Sequence, residues 1–218
     1  MKTEAAPIQH IIFDLGGVIL PIYPERSMME ISMMLKSTHT VQALQPHFQE
    51  LVRELESGIC SGPAFLRQVA EWTQPSVSLD DILLAWNRML GPPPQENLTL
   101  LRKTRTRYRT FLLSNTNPLH LAEYTPWFKQ DGLDWQDYFE GMVLSFLEGL
   151  MKPDTRIYER LLHRFELDAA FTLFIDDHPD NVDAARGAGI QAVCLQPGQR
   201  LVDLFDAQGA LVPLQDQA

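Results

Sequence analysis

The sequence predicts an α/β protein, a doubly wound parallel sheet with one all-helical module inserted after its first strand. From Gln95 onward short apolar runs alternate with helical segments, the rhythm of parallel strands joined by crossover helices. The runs are continuous, as in FTLFID from Phe171 to Asp176, which suits strands covered on both faces better than strict alternation does. The rhythm fails in one place only, between residues 20 and 93, a stretch bounded by prolines on both sides.

The first strand lies in Ile11 to Leu20, IIFDLGGVIL, and ends on a carboxylate, Asp14, followed at once by Gly16 and Gly17. Pro21 and Pro24 then break regularity. Arg26 to Lys36 is Met-rich and helical in pattern, and Val41 to Glu56 sets Leu44, Phe48, Leu51, Val52 and Leu55 on one helical face. Gly58 supplies its stop. Ser61 with Pro63 opens a third helix on Phe65, Leu66 and Val69. Ser78 to Asp81 has the form of a capping box before a fourth, with Ile82, Leu83, Trp86 and Met89 facing inward. Gly91 and Pro92 to Pro94 end the module. Strands are then expected at Thr110 to Ser114, Met142 to Ser145, Phe171 to Asp176 and Gln191 to Leu195. Helices are expected near Glu96 to Thr106, Asp154 to Phe165 and Asp180 to Ala188. Residues 1–19 and 94–218 therefore form the Rossmann-like core, and residues 20–93 a helical domain.

Composition narrows the partners. The 218 residues are 45% apolar and 21% charged, as in a globular protein with one sizeable core. A net charge of -10 argues against a nucleic-acid or anionic-membrane partner, either of which needs a basic face. No apolar run approaches a membrane span, and the first ten residues lack the pattern of a signal peptide, so a cytoplasmic location is expected. Cys60 and Cys194 are expected as two buried, unpaired thiols. His10 and His163 look like surface or edge positions, and no histidine pair has metal-binding spacing. Trp127, Phe128 and Trp135 fall in a less regular stretch and are expected to be exposed, which is compatible with a homodimer as well as a monomer.

In an open α/β sheet, ligands bind beyond the carboxyl ends of the strands. Here those ends carry Asp14, then Ser114 and Asn115, then the loop leading to Lys152, then Asp176 and Asp177. Two adjacent acids closing a buried strand repel each other unless a cation sits between them and another acid, and Asp14 is on the same rim. Asp180 and Asp183 have a simpler explanation as first-turn acids of the following helix. Ser114 can donate to an anion beside a helix N-terminus, and Lys152 falls where a cation would screen a carboxylate from one.

With these segments in view the chain resembles the haloacid dehalogenase (HAD) superfamily of aspartate-nucleophile phosphotransferases. FDLGGV, LLSNTN, KPD and FIDDHPDNVDAA stand in that family's order and approximate spacing. Within it the chain is similar to members with a double-Asp fourth motif and a helical cap, above all bacterial glucose-1-phosphate phosphatases and more loosely the phosphatase domain of soluble epoxide hydrolases. The resemblance implies Asp14 as nucleophile and Lys152 as the catalytic cation. It implies phosphate binding by Ser114, Asn115 and Lys152, and Mg²⁺ held by Asp14, the Gly16 carbonyl, Asp176 and Asp177. It places Asn181 where a polar group supports the metal's waters. The implied substrate is a small phosphorylated, sugar-like metabolite.

The chain departs from the pattern at Gly16, where most family phosphatases have a second Asp that moves protons. Three readings follow. A phosphatase could take its proton from elsewhere, with Tyr23, Glu25 and the acids near Glu54 as candidates. The chain could instead be a catalytically impaired module binding a phospho-ligand or a protein. A metal-independent 2-haloacid dehalogenase ranks last, since it leaves the paired aspartates unexplained.

Overall fold

A computed structural model describes residues 7–213. Its sheet has five parallel strands in the order β3-β2-β1-β4-β5. They are β1 His10–Phe13, β2 Arg109–Ser114, β3 Gly141–Leu144, β4 Thr172–Asp176 and β5 Gln191–Cys194. The chain starts at the centre, builds outward through β2 and β3, then returns to the other side of β1. That reversal leaves a crevice beyond the end of β1, between the two directions of winding. In register, Phe13 stands beside Leu112 of β2 and Ile175 of β4, so three strand ends meet there.

Both faces of the sheet are covered, which is why the strands read as continuous apolar runs. Ile11, Phe13, Leu112, Leu173 and Ile175 pack in one buried layer. Their neighbours Ile12, Phe111, Leu113 and Phe174 turn to the other, under Ile157, Tyr158 and Leu161. The alternation follows from the two-residue period of a strand. Helices α5 Gln95–Thr104, α8 Thr155–Arg164 and α9 Pro179–Gly187 match expectation within two residues.

Between β1 and β2 the chain lays down α1 Pro24–Met34, α2 Val41–Glu56, α3 Gly62–Trp72 and α4 Leu79–Asn87. These helices have an apolar centre of their own around Leu55, Phe65, Val69, Ile82 and Trp86. Ser61 accepts from the Ala64 amide at 3.4 Å, and Ser78 with Asp81 forms a reciprocal capping box, so both sequence signals mark real helix starts. Entry and exit run side by side: the Tyr23 amide donates to Met89 O at 2.7 Å and the Gly91 amide to Pro21 O at 2.9 Å.

Several expectations need correction. Two short helices, α6 Pro118–Tyr124 and α7 Ser145–Glu148, follow directly on β2 and β3, and neither is long enough to show a period. Ser145 opens α7 instead of ending β3, because its hydroxyl bridges to both backbone groups of Thr116. Phe128 and Trp135 are buried, packed edge-on against each other and on Tyr124 and Tyr138, with Trp127 half-buried against the same layer. Irregular backbone hid that contact. His10 is buried in the first strand, and Cys194 is half-buried while Cys60 is buried; both thiols are free.

Candidate active site

Asp14 sits one residue past β1, and its amide donates to Ile175 O at 2.9 Å, extending the ladder by one step. That holds the carboxylate over the crevice, only 8% exposed. Lys152 reaches it from the loop after α7: Nζ lies 2.7 Å from Asp14 Oδ1 and 2.6 Å from Asp176 Oδ2. The ammonium is buried, and Nζ lies 5.3 Å from the centroid of the Phe174 ring. Burial alone would lower its pKa, but the two carboxylates outweigh it and the net shift is upward. Lys152 is held as a cation.

Asp176 ends β4 with no exposed surface. It accepts from the His178 amide at 2.8 Å and from the Asn181 amide group at 3.0 and 3.1 Å. Asn181 therefore orients a carboxylate directly. Asp177, the next residue, is exposed, and one oxygen from each of Asp14, Asp176 and Asp177 lies within 4.8 Å of the others. Three carboxylates thus face one ammonium. Burial pushes Asp14 up to about 7, partly offset by Lys152 and reinforced by Asp176. Burial and Asp176 raise Asp177 as well. An all-oxygen, under-neutralised cluster with one exposed member has the donor chemistry of a hard divalent cation.

The glycines explain the close approach. Gly17 has φ +77°, and a Cβ there would come 2.1 Å from Asp177 Oδ2, so only glycine lets this carboxylate lie on the turn. Gly16 has ordinary φ, but a Cβ would stand 3.2 Å from Ile22 Cγ2. The space of the absent side chain is bordered by an aliphatic group.

Ser114, at the end of β2, is buried, with its hydroxyl 3.4 Å from Asn115 O. Asn115 does something the sequence did not suggest. Its side chain donates to Lys152 O and accepts from the Lys152 amide, both at 2.9 Å, clamping the segment that carries the lysine. The Lys152-Pro153 peptide is cis. Of the proton-donor candidates, Tyr23 lies under the Arg26 guanidinium at 3.8 Å and Glu25 is exposed in the first turn of α1. Glu56 differs from both. Burial raises its carboxyl to about 7, Lys152 pulling it down and Asp14 pushing it up. The sequence pointed only to the acids around Glu54, since nothing local distinguishes Glu56 from them. His120 is buried, stacked on Trp86 at 4.6 Å, and desolvation lowers it to about 4.

The sequence profile of the haloacid dehalogenase-like hydrolases matches residues 8–189. The chain belongs to the haloacid dehalogenase-like hydrolase family. This HAD-like hydrolase is 25% identical over 185 residues to the D-ribitol-5-phosphate phosphatase of Bacteroides thetaiotaomicron, covering 84% of this chain and 90% of the relative. It also superposes on a crystal structure of a HAD family enzyme from Bacteroides thetaiotaomicron with TM-score 0.84 and 27% identity, over 92% of this chain and all of that one. A second crystal structure of that enzyme, complexed with magnesium and inorganic phosphate, matches with TM-score 0.81 and 29% identity, over 91% of this chain and all of the other. Among the described residues no helix is long and apolar enough to cross a membrane.

Proposed function

We propose that this HAD-like hydrolase is a Mg²⁺-dependent phosphatase that hydrolyses a small phosphorylated, sugar-like metabolite through an aspartyl-phosphate on Asp14. The observation that carries the reading is the buried Asp14–Lys152–Asp176 cluster with Asp177 beside it. An anion attacking an anion needs its charge neutralised before anything else. Lys152, fixed between two carboxylates and clamped by Asn115, supplies one positive charge to nucleophile and phosphate together. Asp14, Asp176, Asp177 and the Gly16 carbonyl would hold Mg²⁺, which when bound supplies the remaining positive charge. Ser114 and the Asn115 backbone bind phosphoryl oxygens. Asp14 attacks phosphorus, the ester oxygen leaves with a proton, and water then cleaves the acyl phosphate.

Residues 20–93 are the cap over this site, joined to the core of residues 1–19 and 94–218 by a neck whose two chains are bridged at Ile22 and Leu90. The ribitol-phosphate relative supports a polyol or sugar phosphate as substrate. A metal-free dehalogenase would leave the three-carboxylate cluster without a use.

The test is turnover of D-ribitol 5-phosphate, a panel of other sugar and polyol phosphates, and p-nitrophenyl phosphate, with Mg²⁺ or with EDTA. Wild type is expected to release phosphate only with the metal, and Asp14→Asn to lower kcat by about 10³-fold or more. Turnover that survives EDTA or Asp14→Asn sinks the mechanism.

A further inference from the structure

We propose that Glu56, the last residue of α2, is the general acid and base of this reaction, moving from the cap the proton that Gly16 has no side chain to move. The inference rests on the phosphatase reading and adds a catalytic residue to it.

The need is set by the core. Gly16 carries no titratable group, and Ile22 stands against the space where one would be built. The supply is set by how α2 ends. Two residues beyond Glu56, Gly58 has φ +74° and presses on the core so closely that a Cβ would lie 2.1 Å from Phe146 O in α7. This contact seats the end of α2 on the segment that runs on to Lys152. Beside it a cleft of about 460 Å³ is lined by Arg53, Glu54 and Ser57 from the last turns of α2 and by Met151 and Lys152 from the core side, with Glu56 itself outside that lining. Glu56 is partly buried at this seam, and among the described residues no hydrogen bond or ion pair engages its carboxylate. A half-buried carboxylate without a partner is costly to ionise.

The charges that reach it are those of Lys152 and Asp14, the two groups that hold the phosphate and attack it. Of the other charges nearby, Glu54 on α2 faces the neighbouring cleft without an ion pair among the described residues, and Asp154 beside it is paired with Arg156. Glu148 of α7 is paired with Arg160 and Arg164, and Arg53 on α2 itself is paired with Glu50. The charged residues of α3, also packed on α2, are Arg67 and Glu71. With its carboxyl raised to about 7, Glu56 has both protonation states available near neutrality, as a shuttle requires.

The proton balance closes. As the Asp14–phosphorus bond forms and the ester P–O bond breaks, the Glu56 carboxyl gives its proton to the leaving oxygen, releasing the alcohol. The Glu56 carboxylate then takes a proton from the water whose oxygen attacks phosphorus. Asp14 and inorganic phosphate are released, and Glu56 is protonated again.

The experiment uses full-length wild type, Glu56→Gln and Glu56→Asp with Mg²⁺, on p-nitrophenyl phosphate and on the fastest alkyl phosphate of the panel. A nitrophenolate leaves without a proton; an alkoxide does not. Glu56→Gln is expected to lower kcat/KM for the alkyl ester by about 10²–10³-fold with KM little changed. For the aryl ester kcat/KM stays within about threefold, and a burst appears as the acyl phosphate accumulates. The fall of alkyl kcat/KM above about pH 7 disappears in Glu56→Gln, and Glu56→Asp recovers at least about tenfold over it. Equal losses on both esters, a loss in KM alone, or unchanged alkyl turnover overturns the proposal while leaving the phosphatase reading standing. A wild type inert to every phosphate overturns both.

Discussion

At the scale of single residues the site is a problem of unbalanced charge. Lys152 bridges two carboxylates at 2.7 and 2.6 Å, yet Asp177 adds a third and Glu56 a fourth from the cap. Folding must therefore hold acids where their ionised forms are disfavoured, and the sign of the cost can be worked out for Glu56. Its folded pKa is raised from 4.5 to about 7, so the folded state binds the proton more tightly than the unfolded chain does. Below the ordinary value both states are protonated and nothing is lost. As pH rises through 4.5 to 7 the unfolded chain ionises first, and stability falls by up to about 3 kcal/mol before levelling off. Glu56→Gln mimics the protonated acid. It is expected to melt higher than wild type at pH 8 and at the same temperature near pH 4.5, while turning over alkyl phosphates more slowly. Thermal unfolding at the two pH values measures this, and a variant less stable at pH 8 would show that the Glu56 carboxylate is satisfied in the fold. A residue that weakens the fold where it ionises is a common signature of selection for activity.

At the scale of elements, strand ends and one helix end place every group. β1 and β4 lie adjacent, which brings Asp14 to Asp176 across the crevice although the two are far apart in sequence. This much was legible beforehand, because strands covered on both faces announce themselves as apolar runs and the ligand-binding edge follows from the topology. The helix starts at Ser61 and Ser78 were legible for a local reason, a capping hydroxyl at fixed spacing. The Asn115 clamp on Lys152 was not, since its partners are joined only by the fold. Trp135 misled for the same reason: no period marks a short 3-10 turn, so its burial had no local sign. Glu56 lies between these cases, on a helix whose bounds the sequence predicts but whose end meets the core only through Gly58 and α7. That seam makes a test at a distance. Gly58→Ala meets both a left-handed φ and backbone at 2.1 Å, so the end of α2 must lift. The expected result is at least about a tenfold fall in kcat/KM for alkyl phosphates and a much smaller one for p-nitrophenyl phosphate, with Mg²⁺ affinity unchanged by calorimetry. Equal effects on both esters would mean that the seam only supports the fold.

At the scale of the whole molecule, the two apolar layers of the sheet and the centre of the helical module are separate bodies of packing. They touch through a few contacts: Trp86 on His120, Gly62 against Leu119, the Asn87–Glu123 hydrogen bond at 3.0 Å, and the end of α2 on α7. The neck is narrow, with Tyr23 and Met89 already hydrogen-bonded at 2.7 Å, so a short glycine-serine turn can replace residues 24–88 without moving the core. If the division at residues 20–93 is correct, the shortened chain keeps its sheet by circular dichroism and still binds Mg²⁺, because Asp14, Lys152, Asp176 and Asp177 all belong to the core. It loses some stability where Leu119 and His120 become exposed. Its chemistry should then divide by leaving group. With Mg²⁺ present the core still releases nitrophenolate from p-nitrophenyl phosphate, whose leaving group asks for no proton, whereas alkyl phosphates should fall to background with Glu56 gone. A shortened chain that hydrolyses alkyl phosphates as the whole one does would place the proton donor in the core. One that fails to fold would show that cap and core are a single cooperative unit and that the Trp86–His120 seam is part of its centre.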